Sequence, residues 1–545
     1  MATWDPGMDL VRSGSLVKAS ATDAQERPRG CGVFAALKAR PGTKPRHWRR
    51  RYNDQGIPLD VIRKIATSLH GDPRLETWEG LKAAVLERLD TWRVHPGVRV
   101  YAEHAVEQYL DAHEELVAQV GELRFVGLDP FTSNANRELH AWAPLYAGSG
   151  GLREIRRLRI GSARRQDPDS ARWTAVAAQV AATVPMEEPA RLVRVVEVGV
   201  GDGSIEVVFE GTPEEVRARY EELARPAIQV FVQSTDMTPG HGSCKDCKVA
   251  GCCPSLMGLD GCLGQEEVGT HTRSVSASDL ELYGECPARW YLERECNLPR
   301  QAQTSAAAER GKAVHRWLAQ AHARGRQCTS EDVGLYSAPG TYIGTLTQDD
   351  YVSARPFLEA HLTTCPLDGE ARVVLAIEKA VYGYDASADV VIASQPDLVY
   401  TDAEGTVVVR ETKTAKELPA DAGEAFDRFF PVPWLINIVG TRADAFGGLP
   451  GSPRVELEVI AETAAAVFAW TVEETGVVRM ARSEVAHRAG DWNHDRVWGA
   501  RPGRQCARCP VRKWCPDAAD GDEDAEVPLG ISDEPCAGLP SAATD

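Results

Sequence analysis

Two carboxylates and one lysine stand close together in the second half of this 545-residue chain: Asp397, in Pro396-Asp397, and Glu411 and Lys413, in Glu411-Thr412-Lys413. The segment from Val391 through Tyr400, the turn residues Asp402-Ala403-Glu404-Gly405 and the segment from Thr406 to Lys413 read together as a hairpin. Side chains alternate along a strand, so Glu411 and Lys413 share one face and Thr412 points away. Asp397 reaches that face from the neighbouring strand. Charges turned inward from a valine-rich strand are costly unless paired or bound to metal, and hard oxygen ligands of this kind suit Mg²⁺ or Mn²⁺. A metal there would acidify a bound water that Lys413 could orient. The plainer reading of Glu-x-Lys by itself is a surface ion pair.

Cysteines make a second pattern. Cys506, Cys509 and Cys515 form a C-x2-C-x5-C run, and Cys244, Cys247 with Cys253 repeat it. Each run has a lone partner about one domain upstream, Cys286 and Cys31 respectively. Four thiolates suit an iron–sulfur cluster or a structural zinc ion. The spacing, with so distant a fourth cysteine, is unusual for zinc and favours iron–sulfur. Arg508, Arg512 and Lys513 beside the second run could neutralise a cluster's charge or meet phosphate. The remaining thiols, Cys252, Cys262, Cys296, Cys328, Cys365 and Cys536, show no second consistent spacing and read as buried or spare thiols.

The elements that position these groups also repeat. The two cysteine sets are offset by 255 residues at the first cysteine and 262 at the last, and Gly56 to Asp60 follows Cys31 as Gly311 to His315 follows Cys286. This is duplication of a whole domain. Ser276 or Ser278 can cap a helix starting near Asp279, with Leu280 and Tyr283 on one face. An alanine-rich helix follows, with Val314, Trp317 and Leu318 as its apolar stripe and His315 beside it. In the first half, aligning Tyr146 with Tyr400 sets Ala143 at Asp397, Arg157 at Glu411 and Arg159 at Lys413, while Asp60 replaces His315. Such a face cannot hold Mg²⁺ in the same way. Arg157 and Arg159 are then either candidate contacts to a phosphate backbone or arginines paired to local acids.

Composition bounds the rest. Hydrophobic residues make up 43% and charged residues 26%, as in soluble globular proteins. Fourteen cysteines without a signal pattern or a membrane-spanning apolar run point to metal rather than disulfides, and to a cytoplasmic protein. The net charge of −18 owes half its size to nine acidic residues from Asp517 to Asp545, where no Lys or Arg occurs. That tail reads as disordered, so the global charge does not exclude nucleic acid. Basic stretches occur at Lys44 to Arg51 and at Arg153 to Arg165.

The order Ser-x-Ser-x-Leu-x-x-Tyr-x-x-Cys-Pro, Gly-x-x-x-His, Pro-Asp, Glu-x-Lys, then C-x2-C-x5-C resembles the PD-(D/E)XK nucleases of the RecB type. Within these it is similar to the iron–sulfur branch of AddB-like helicase-nuclease domains and CRISPR-associated RecB-like exonucleases. The resemblance spans residues 274–517. It implies His315, Asp397, Glu411 and the carbonyl of Thr412 as metal ligands, Lys413 as the catalytic lysine, and a [4Fe-4S] cluster on Cys286, Cys506, Cys509 and Cys515. A second cluster would sit on Cys31, Cys244, Cys247 and Cys253. Glu378 is expected on the strand before the hairpin, facing the site. The family's Gln-x-x-x-Tyr helix has no counterpart in Pro431–Gly440, where Asn437 is the candidate replacement for the glutamine amide.

The expected fold is α/β: two tandem restriction-endonuclease-like, RecB-type modules, each a mixed sheet flanked by helices and closed by a four-Cys metal site. Residues 1–265 form a degenerate module, 271–517 an active one, and 518–545 an acidic tail. The expected function is Mg/Mn-dependent hydrolysis of DNA phosphodiesters, as an exonuclease on single-stranded or end-containing DNA in repair or phage defence. The alternative is a non-catalytic iron–sulfur scaffold subunit. No G-x-x-x-x-G-K-[ST] loop is present, so any unwinding would come from a helicase or ATPase partner.

Overall fold

A computed structural model describes residues 16–26, 31–42, 94–164, 167–233, 249–266, 273–301, 305–335, 348–369, 372–447, 453–473 and 475–519, with a few residues between 59 and 87 and Cys244, Lys245 and Cys247. The basic stretch around Trp48, the Gly56 to Asp60 segment except Leu59, Cys536 and the tail from residue 520 lie outside the described residues.

In the first half the strands are β1 (Val17–Ser20), β2 (Leu123–Leu128), β3 (Phe131–Asn134), β4 (Arg137–His140), β5 (Pro144–Gly148), β6 (Leu152–Arg159), β7 (Leu192–Gly199) and β8 (Ile205–Gly211). Then come β9 (Met257–Gly258), β10 (Arg273–Val275), β11 (Val373–Ile377), β12 (Val381–Asp385), β13 (Val390–Ser394), β14 (Leu398–Thr401), β15 (Val407–Thr414), β16 (Arg454–Ile460) and β17 (Ala465–Thr471). Two five-stranded mixed sheets result, in the orders β2-β5-β6-β7-β8 and β11-β14-β15-β16-β17. Each has one parallel pair, β6 with β7 and β15 with β16, among antiparallel ones. Each also has a register shift in its first pair, between Phe125 and Gly127 and between Val374 and Ala376.

The smaller sheets match as well. β1 runs parallel to β4, and β4 antiparallel to β3; β10 runs parallel to β13, and β13 antiparallel to β12. The parallel pair in each large sheet needs a crossover. The helix Pro168–Thr183 supplies it in the first half, and the helices Ala422–Arg428 and Pro431–Thr441 in the second. The reading of Val391 to Lys413 as one hairpin is therefore corrected. The hairpin is β14 with β15, while Val391 and its neighbours form β13 in the smaller sheet. A buried β-branched run has the same pattern in either sheet, so only pairing distinguishes them.

Local chemistry sets the entry to the second large sheet. Ser276 caps the helix Ala277–Glu285 by accepting from the Asp279 N–H, while Asp279 accepts from the Ser276 N–H at 2.9 Å. That helix ends at Cys286, which also starts the short helix Pro287–Trp290. The helix Ala306–His322 buries Val314, Trp317 and Leu318, and carries His315 beside this stripe.

The two halves interlock. The segment 249–266, counted by sequence with the first half, packs on the second. β9 pairs with β12, and the Asp385 carboxylate accepts from the N–H groups of Gly261 and Leu263 at 3.0 and 2.9 Å. Cys244, Cys247 and Val249 share an apolar cluster with Tyr382, Val391 and Ala393. In return, the helix Pro96–Val120 of the first half receives Trp514, whose ring meets that of Tyr101 edge-on at 5.0 Å. No described helix is long and apolar enough to cross a membrane.

Candidate active site

Asp397 immediately precedes β14 and is held by the backbone on both sides. Its Oδ2 accepts from the Thr412 N–H at 2.6 Å, and its carbonyl from the Glu378 N–H at 3.1 Å. Glu378 follows β11 with φ +47°, a left-handed conformation uncommon for a side-chain-bearing residue. His315, from the long helix, places Nδ1 at 2.8 Å from Asp397 Oδ1 and 3.8 Å from Glu378 Oε1. One donor atom from each of these three residues lies within 4.8 Å of the others.

On β15, Lys413 Nζ lies 3.1 Å from Glu411 Oε1, and both side chains are nearly buried. Thr412 points to the opposite face, where its hydroxyl donates to Glu458 Oε2 at 3.3 Å. The alternation read from the sequence is therefore present: Asp397, Glu411 and Lys413 share one face of the second large sheet, and His315 reaches Asp397 from its helix. The tight trio adds Glu378 in place of Glu411, whose carboxylate turns to the lysine instead.

The charges respond to one another. Burial opposes a charged His315, yet Asp397 and then Glu378 hold its pKa well above the ordinary value. Burial also works against the Asp397 carboxylate, but His315, Lys413 and the Thr412 N–H keep its pKa low. The Glu378 pKa is raised by burial and by Asp397, against the pull of His315. Two carboxylates this close demand a positive neighbour, and the His315 imidazolium meets that demand. An imidazole and two carboxylates are suitable donors for a divalent cation, so the residues fit a metal.

Asn437 does not join them. Its helix, Pro431–Thr441, is buried, and its Nδ2 donates to the Cys262 carbonyl at 2.7 Å. The amide fastens the 249–266 segment to the core, and its candidacy as a substrate contact is withdrawn. The helix packs on the Val407, Val409 and Leu457 face that Glu411 and Lys413 continue, but the Asn437 side chain is fully buried and turns into the core.

The first half builds a different face. Tyr146 pairs with Glu154 as Tyr400 pairs with Val408, so Arg157 and Arg159 fall at the strand positions of Glu411 and Lys413. Arg159 binds Glu197 through two nitrogens at 2.8 and 2.6 Å. Arg157 lies 3.5 Å from Glu197, donates to Gln25 at 2.6 Å and stacks on Trp173. Burial first, then Arg159, lowers the Arg157 pKa to about 10. These arginines are engaged with a local acid, the second of the two readings offered by the sequence. Arg153 and Arg156 of the same basic stretch are buried.

Both four-cysteine sets gather. Cys509 lies close enough to Cys286, and Cys515 to Cys286 and Cys506, for their charges to interact. Cys247 stands in the same relation to Cys253, Cys244 and Cys31. The turns agree too: Cys509 N–H donates to the Cys506 carbonyl and Cys515 N–H to that of Arg512, as Cys247 does to Cys244 and Cys253 to Ala250. No three of these sulfurs are drawn within 4.8 Å of one another among the described residues.

Cys328 and Cys365, read from the sequence as buried or spare thiols, are buried and belong to a mixed cluster. Both are buried with His322 and His361, and the four offer donor atoms within 4.8 Å. The signal in the sequence was His-x5-Cys followed by His-x3-Cys. Attention to cysteine spacing alone passed over it, because each cysteine's near neighbour is a histidine.

Among sequence families, the PD-(D/E)XK nuclease superfamily matches residues 274–516. That segment, bearing His315, Glu378, Asp397, Glu411 and Lys413, is a PD-(D/E)XK nuclease superfamily domain. No curated protein matches the chain.

Proposed function

We propose that this domain hydrolyses phosphodiester bonds in DNA with a divalent cation, Mg²⁺ or Mn²⁺, and that the first half is a degenerate copy of it. The observation that carries the reading is the convergence of His315, Glu378 and Asp397 beside the Glu411–Lys413 pair. His315, Asp397, Glu378 and the neighbouring Glu411 would hold the cation, with the Thr412 carbonyl as a further ligand. Such a cation supplies Lewis acidity toward the phosphate and lowers the pKa of water.

The protein's own part follows from its contacts. The Thr412 N–H fixes the Asp397 carboxylate and the Glu378 N–H fixes the Asp397 backbone carbonyl, so the ligand strand and the ligand turn cannot shift independently. His315, set between the Asp397 and Glu378 carboxylates, would offer its imidazole to the cation, which would supply the positive charge those carboxylates require. Lys413, kept in place by Glu411, offers positive charge and N–H donors where charge develops on the phosphate.

The duplication is supported by the shared strand orders, the single parallel pair in each sheet and the shared bulge. In the first half Arg157 and Arg159 close on Glu197, and this half serves as a docking module. The finer placement in the iron–sulfur RecB-like branch, as an exonuclease on DNA ends, is supported by the two gathered cysteine sets.

The test uses full-length protein purified without oxygen, with linear and circular DNA, single- and double-stranded, in Mg²⁺, Mn²⁺ or chelator. Cleavage that needs the cation and is absent in Asp397→Ala supports the reading. Metal-independent cleavage, or cleavage retained in Asp397→Ala, Glu411→Ala and Lys413→Ala alike, refutes it. Failure of folded, iron-replete protein to cut any of the substrates turns the assignment to the scaffold reading.

A further inference from the structure

We propose that His322, Cys328, His361 and Cys365 bind one structural zinc ion on the side of the second large sheet opposite the catalytic face. All four residues are buried, and their donor atoms lie within 4.8 Å of one another. The number and type of donors, two imidazoles and two thiols, are those of a closed tetrahedral zinc site.

The histidines carry the argument furthest. His322 is 3% exposed and His361 is fully buried; neither Nε2 has a nitrogen or oxygen partner, and both rings turn toward the Cys365 sulfur. Two buried imidazole nitrogens that face one sulfur and have no stronger partner suit a shared metal ion. The other nitrogen of His361 is already committed: Nδ1 lies 2.6 Å from Glu458 Oε1. Carboxylates in this position orient ligand histidines and fix the tautomer that leaves Nε2 for a metal. The Cys365 sulfur also accepts from the Cys328 N–H at 3.3 Å, a bond that favours the thiolate.

The chain delivers the four donors in pairs. His322 ends the helix Ala306–His322 and His361 ends the helix Gln348–His361. Each histidine is followed within a few residues by its cysteine. The loop holding Cys328 is itself knotted by Asp332, which takes Arg324, Arg326 and the Thr329 N–H at 2.7 to 3.0 Å. Zinc here would join the ends of two helices to β16 through Glu458, and Glu458 touches the Thr412 hydroxyl on β15. The ion would thus brace the catalytic strand from behind without entering the reaction.

The inference does not depend on nuclease activity or on the iron–sulfur assignment, and its test reads metal directly. Zinc would be counted in full-length wild type and in Cys506→Ala, Cys247→Ala, His322→Gln and Cys328→Ser, with zinc-edge X-ray absorption on the wild type. The expected result is about one zinc per chain, retained in the first two variants and lost in the last two, with mixed sulfur and nitrogen ligation. Because a variant that fails to fold also loses metal, the absorption spectrum of the wild type stands independently. A sulfur-only zinc shell, no zinc in well-folded wild type, or a Cys328–Cys365 disulfide in anaerobically prepared protein overturns the proposal.

Discussion

Glu378 and Asp129 occupy the same place in their respective sheets, and both adopt left-handed backbone, with φ +47° and +54°. The N–H of Glu378 donates to the carbonyl of Asp397, and that of Asp129 to the carbonyl of Ala143, each at 3.1 Å. The turn is shared, but its surroundings are not. Glu378 faces His315 and Asp397, whereas Asp129 is bonded to the guanidinium of Arg63. A conformation costing on the order of 1 kcal/mol or more is thus kept in both places, with a group of candidate metal donors among the described residues around Glu378 and not around Asp129. Glu378→Ala is expected to weaken Mn²⁺ binding and to lower cleavage by at least about tenfold, the scale of a lost carboxylate partner. Asp129→Ala should leave cleavage unchanged. Calorimetric titration of Mn²⁺ together with a DNA cleavage assay checks both.

Lys413 is expected to matter for chemistry and for stability in separable ways. Lys413→Ala should reduce cleavage by about 100-fold or more, as loss of a charge-stabilising donor does. It should also lower the melting midpoint, because Glu411 is then nearly buried without its 3.1 Å partner. The double variant Glu411→Gln/Lys413→Ala should regain the midpoint but not the cleavage. A double variant as unstable as the single one would count against the pairing.

Gly97 tests the join between the halves. A Cβ there would lie 2.7 Å from Leu292 Cδ1 and 2.8 Å from the Trp514 carbonyl, and the second contact is with backbone, which cannot simply rotate away. Gly97→Val should separate the first-half helix from the Trp514 turn. The expected signs are faster proteolysis near residue 515 and loss of iron in air. Unchanged proteolysis and iron content would show that the approach is not tight.

The loop that carries Cys328 should respond to acid. The Asp332 carboxyl is buried, which by itself would raise its pKa, but Arg326, Thr329 and Arg324 bring it down to about 2 from the ordinary 3.8. A carboxyl with a depressed folded-state pKa stabilises the fold above its unfolded pKa, and that stabilisation is lost as pH falls toward the folded value. The wild-type advantage over Asp332→Asn, on the order of 1–2 kcal/mol, should therefore be present at pH 5 and fade between about pH 4 and 2. Denaturant titrations across that window provide the measurement. An advantage independent of pH would mean that packing, not charge, is what Asp332 contributes.

Much of the site could be read before any coordinates because its signals are local. Ser276 with Asp279 caps a helix as expected, and Glu411-Thr412-Lys413 alternates as a strand must. The register of the first half followed from one tyrosine, since Tyr146 and Tyr400 hold equal places against β6 and β15. What failed to show was long-range. Whether Val391 belongs with β14 or with β12 depends on pairing between segments of identical character. Asn437 sits in a helix whose burial is all-round, and its polar group gives no hint that its partner is Cys262, 175 residues away. The His322–Cys328 and His361–Cys365 spacings stand in the sequence, but that the two pairs meet depends on how their helices pack.

The strap formed by residues 249–266 has a practical consequence for dissecting this molecule. The stretch recognisable as a nuclease begins at residue 274, but β9 and the Gly261–Leu263 turn that cover β12 and Asp385 lie ahead of it. A fragment cut at that boundary would carry an uncovered sheet edge, a stripped tryptophan at 514 and a buried Asp385 carboxylate that keeps the N–H groups of Ser387 and Ala388 but loses those of Gly261 and Leu263. Bare edges invite pairing between molecules, so such a fragment should precipitate or associate where the whole chain stays dispersed. The smallest piece that evolution can copy is, in this chain, smaller than the smallest piece that can stand in water.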